Sequence, residues 1–135
     1  MYGLIQDQVD LGRKDSKNMI TKEFEDFAKE HNVLLAVLVD LEKKVDYMIG
    51  GKDNLTYEGL FNSLFGDMEI ILRLNESLEG QCMPQSWKQD QLKCLVVKPT
   101  DKVLVGLFYN DTKNAVDSYK FGKQLNDELI EIWGH

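Results

Sequence analysis

The stretch VLLAVLVDLEKKVDYMIGG, residues 33–51, decides how the rest of this chain is read. Seven apolar residues, Val33 to Val39, run without a polar interruption. A segment apolar on both alternating faces is a strand covered from both sides. The return segment alternates instead: Val45, Tyr47 and Ile49 fall on one face, Asp46 and Met48 on the other. That pattern belongs to a strand with one better-exposed face, nearer a sheet edge. Leu41-Glu42-Lys43-Lys44 is short enough to close a hairpin, although it lacks the favoured Asn-Gly pair.

Working outward from the hairpin, Ile20, Phe24, Phe27 and Ala28 recur at helical spacing among charges, predicting an amphipathic helix over 16–32 started by Ser16 or Thr21. After the hairpin, Gly50-Gly51-Lys52-Asp53 breaks the chain, and one long helix is predicted from Asn54 or Thr56 to about Glu79. Its stripe of Tyr57, Leu60, Phe61, Leu64, Met68, Ile71, Leu72 and Leu78 has the spacing of a core face. A second line follows Gly59, Ser63, Gly66 and Ile70, beside an exposed-looking Phe65. A glycine inside a helix costs about 1 kcal/mol against alanine. Two on one side are either incidental or the mark of another backbone coming close.

Gly80 ends that helix. Three strands follow: a polar one over 83–90, held to an edge by Pro84, then 92–98, then 103–109, apolar on both faces. Lys98-Pro99-Thr100-Asp101 fits a type I turn. A last helix is predicted over 114–133. The order α-β-β-α-β-β-β-α, with two strands apolar on both faces, gives an α+β fold: a five-stranded antiparallel sheet with one long helix on one face and two helices on the other. Residues 1–15 read as a tail and 16–135 as a single domain.

Charge and motifs remove several function classes. A net charge of −7 provides no basic face for nucleic acid or for an anionic membrane surface. No run of 18 apolar residues exists to span a bilayer and no signal peptide opens the chain, so a cytoplasmic location is expected, and the three Asn-X-Ser/Thr triplets are chance. Cys82 and Cys94 make no zinc spacing, and Cys94 alternates with Leu92 and Val96 as a small core residue. His31 and His135 have no metal or acid–base partner in sequence; His31 suits the carbonyl end of its helix. The Gly50-Gly51-Lys52-Asp53 loop lacks the phosphate-loop spacing, and no nucleophile elbow or catalytic triad occurs. The expectation is therefore no catalytic, cofactor-binding or metal-binding residue and no enzyme. Trp87 stands alone on a polar strand, either capping the core at the sheet margin or anchoring a partner.

The both-faced hairpin, the middle helix LTYEGLFNSLFGDMEIILRLNESL, the run QLKCLVVKPTDKVLVGLFYN and the closing helix SYKFGKQLNDELIEIW together resemble the roadblock family, the dynein light-chain relatives with a profilin-like fold. The resemblance covers about Lys17 to Trp133 and is one of pattern and order. Family members often turn the first hairpin with Asp-Gly, where this chain has Glu42-Lys43-Lys44; the glycine pair after the second strand is present as Gly50-Gly51. The resemblance implies a homodimer, or a dimer with a paralogue, in which middle helices pack together and edge strands join. It thereby gives Gly59, Ser63, Gly66, Ile70 and Trp87 an interface role. It further implies a module that regulates or scaffolds a Ras-like small GTPase, or attaches cargo to dynein, without a hydrolase centre of its own. No arginine finger is evident, since Arg13 and Arg73 are the only arginines.

Two other readings fit a small acidic α+β chain. One is a dimeric chaperone of the secretion type, which would hold unfolded client peptides. The other is a profilin-like ligand-sensing domain, which needs a pocket between sheet and helix where Phe61, Leu64 and Phe65 are bulky.

Overall fold

A computed structural model describes residues 14–134, with side chains from residue 20; the expected tail over 1–15 falls almost wholly outside the described residues. The elements are α1 (Lys14–Glu30), β1 (Leu35–Asp40), β2 (Val45–Gly50), α2 (Glu58–Phe65), α3 (Met68–Ser77), β3 (Gln85–Gln89), β4 (Leu92–Thr100), β5 (Val103–Asn110) and α4 (Ala115–Trp133). One turn of 3₁₀ helix, Lys52–Asn54, follows the glycine pair. The five strands form one antiparallel sheet in the order β2-β1-β5-β4-β3. The fold is the α+β arrangement expected, with the middle helix in two pieces.

Alternation along the strands feeds two cores. Leu35, Val37 and Val39 of β1 face α2 and α3, together with Cys94, Val96, Leu104 and Phe108. Ala36, Leu95, Val97, Val105 and Leu107 face α1 and α4, where Phe24, Phe27, Leu125 and Leu129 close over them. The two outer strands, β2 and β3, are largely exposed, as their polar alternation requires.

The first hairpin turns without an Asp-Gly pair because other residues supply what that pair would. Asp40 accepts hydrogen bonds from the N–H groups of Glu42 and Lys43, both at 3.0 Å. Lys44 takes the left-handed conformation, with φ 57°. Its N–H then bonds the Asp40 carbonyl at 2.8 Å.

The expected single helix over 54–79 breaks at Gly66-Asp67. Asp67 is extended (φ −153°, ψ 175°) and its carboxylate accepts from the Ile70 N–H at 2.9 Å, which makes it the N-cap of α3. Gly66 stays right-handed, but a Cβ there would run into the carbonyl of Asn62. Only a residue without a side chain lets the chain turn so tightly. The break also re-aims Phe65, which is core rather than exposed: its ring lies over Gly106, where a Cβ would stand 2.5 Å away, and meets Phe108 at 6.0 Å.

Two further expectations change. Pro99 lies within β4 rather than in a turn, at the register shift between Val97 and Thr100, and the chain reverses at Asp101-Lys102. A sheet tolerates proline at such irregularities because no ladder N–H is needed there. At the amino end, α1 already runs from Lys14, so Ser16 and Thr21 lie within the helix.

Candidate interaction surface

Between α2, α3 and β3 lies a shallow groove of about 300 Å³, lined by Ser63, Leu64, Ile70, Arg73, Leu74, Ser77 and Trp87. Three of the five residues expected at an interface, Ser63, Ile70 and Trp87, thus come together from three elements. Ser63 is placed by its own helix, its hydroxyl donating to the Gly59 carbonyl at 2.7 Å. Ile70 follows from the Asp67 cap one turn before it. One side of Trp87 packs on the core cluster, capping the sheet margin, and the half-buried remainder lines the groove.

Gly59 and Gly66 are not among the lining residues. Gly59 is exposed on α2 facing the end of β3, where a Cβ would make ordinary contact with the Gln89 amide at 3.6 Å. Gly66 answers to the chain's own backbone, so a bulky residue there disturbs the α2–α3 junction and is a poor probe of any partner. Leu64, Arg73, Leu74 and Ser77 were not predicted as lining. Their signal was present, since Arg73, Leu74 and Ser77 stand three, four and seven residues after Ile70 on one helix face. The Arg73 guanidinium has an exposed Glu69 carboxylate one turn back, at 3.8 Å.

Beside the groove runs the open edge of β3. Gln89 and Leu92 flank a two-residue turn, so they exchange both ladder hydrogen bonds, as do Trp87–Cys94 and Gln85–Val96 by alternation. The backbone groups of Ser86 and Lys88 therefore point away from the sheet. Tyr57 secures the hairpin tip by donating to Asp90 at 3.0 Å, and this contact with a carboxylate raises the pKa of its phenol.

Under α2, Phe61 and Phe65 both pack on Phe108, with centroids 5.8 and 6.0 Å away. The Cys94 thiol is fully buried, and burial pushes its pKa well up, so it offers no thiolate. Among the described residues, no helix is long and apolar enough to cross a membrane.

No family model matches the chain, and no curated protein matches it. Among solved structures, Myxococcus xanthus MglB superposes with a TM-score of 0.52 over 81% of this chain and 89% of that one, at 13% identity. Likeness at that identity is likeness of fold, and the fold is that of the roadblock proteins.

Proposed function

We propose that this chain is a dimeric, non-catalytic interaction module that regulates or scaffolds a Ras-like small GTPase in the cytoplasm. The observation that carries the dimer is the groove lined by Ser63, Ile70 and Trp87 lying alongside the open edge of β3. The occupant is a second copy of the chain. Outward backbone groups at Ser86 and Lys88 suit a two-fold pairing in which Ser86 of each copy meets Lys88 of the other. That register sets the two Trp87 rings side by side on one face, as a close cross-strand aromatic pair above the two grooves. The interface residues proposed are Gly59, Ser63, Gly66, Ile70 and Trp87, the two glycines acting as spacers at its margin.

The GTPase part rests on likeness: MglB is a roadblock-family GTPase regulator. A module of this kind acts by positioning the partner's own residues. The chaperone and ligand-sensor readings gain nothing comparable, and the packed Phe61 and Phe65 take the space a sensor's ligand would need.

The experiment is capture on the immobilised chain from its native lysate, run in parallel with GDP and with a non-hydrolysable GTP analogue. The proposal expects a small GTPase recovered in one nucleotide state only. Equal recovery in both states, or a catch of unfolded clients, would overturn the GTPase assignment.

A further inference from the structure

Glu30, His31 and Glu128 bring one imidazole and two carboxylates within 4.8 Å of one another, although 97 residues separate His31 from Glu128. His31 is the residue just past the end of α1, and Glu128 lies on α4. The imidazole is held rather than free. Its side chain is 8% exposed, it lies edge-on to Phe27 and Phe121 at 4.9 and 6.0 Å, and its Nε2 is 2.8 Å from Glu128 Oε1. Glu128 is oriented in turn by Gln124, whose amide donates to Oε2 at 2.9 Å.

From this geometry we infer that Glu30, His31 and Glu128 form a binding site for a divalent transition-metal ion of the zinc class, clipping the end of α1 to α4. A nitrogen donor with two carboxylates selects zinc-like ions over magnesium or calcium, which take oxygen ligands throughout. Tetrahedral bonds of about 2.0–2.1 Å place two ligand atoms about 3.3 Å apart. The His31–Glu128 pair at 2.8 Å therefore needs to open by only about half an ångström to admit the ion. Glu30, exposed on the solvent side, closes on the ion as third ligand, and water completes the set. Gln124 supports the ligating carboxylate as outer-shell partners do. The site lies on the α1–α4 side of the sheet and shares no residue with the groove.

The test is calorimetric titration of the untagged full chain with zinc chloride, and with magnesium chloride as control, in a Cys82→Ser, His135→Gln background that removes two other candidate donors. Expected are one zinc per chain, no magnesium uptake, loss of binding in His31→Ala, and at least about tenfold weaker binding in Glu30→Gln. Glu30 is exposed, so its substitution separates a ligand from a residue that merely holds the fold. Absence of zinc binding, or binding unchanged by His31→Ala or by Glu30→Gln in folded protein, overturns the site.

Discussion

Asp111 is 1% exposed, at the junction of β5 and α4. It accepts from the Ser118 hydroxyl, from the Lys113 N–H at 3.0 Å and from the Lys93 ammonium at 3.4 Å. Lys93 also donates to Ser118 at 2.7 Å, so the charges are buried as a connected set. Burial by itself would raise the Asp111 pKa; these hydrogen bonds and the Lys93 charge overcome it and hold the carboxyl below its usual value of 3.8. A carboxyl depressed in the folded state stabilises above its unfolded pKa and loses that contribution as pH falls through the folded one. Asp111→Asn should lower the unfolding free energy at neutral pH by about 2 kcal/mol. The gap from wild type should close as pH drops below 3.8. Urea unfolding across that pH range checks both; a gap that persists in acid would show that the charge is not what matters. Nothing in the sequence announced this cluster, because Lys93, Asp111 and Ser118 meet only through the β4–β5 register and the start of α4.

At the scale of elements, periodicity was informative wherever a face met a core and silent where it did not. The hairpin, the polar edge strand and the two outer helices were legible because burial imposes a period of 2 or 3.6. The α2–α3 break was not, since Phe61 and Leu64 before it and Met68 and Ile71 after it keep one apolar spacing across Gly66-Asp67. The signal lay in local chemistry: a glycine followed by an aspartate able to cap. This separates two accounts of Gly66 by sign. If the glycine were incidental, alanine would stabilise by up to about 1 kcal/mol. Because its Cβ meets the Asn62 carbonyl, Gly66→Ala should instead destabilise by about 1–3 kcal/mol. Thermal or urea unfolding at one fixed protein concentration decides it, and a stabilised variant would refute the tight junction.

For the whole molecule, the family resemblance gave Gly59, Ser63, Gly66, Ile70 and Trp87 an interface role, and folding gathers three of them, Ser63, Ile70 and Trp87, round one groove. Arg73, Leu74 and Ser77 share the Ile70 helix face, but that this face meets Leu64 of α2 and Trp87 of β3 follows only from the way α3 restarts after Asp67. Nor could the sequence show that His31 meets Glu128, a contact made by laying α1 beside α4.

The central claim is that two copies join through β3 and the groove, and light scattering behind size exclusion tests it most directly. The wild-type chain should run at twice the 15.6 kDa of one chain. Ser86→Pro removes an outward N–H while sparing the ladder bonds to β4, and Ser63→Arg fills the groove from an exposed helix position. Both variants should keep their fold by circular dichroism and run as monomers. A monomeric wild type, or folded variants that stay dimeric, would contradict the account.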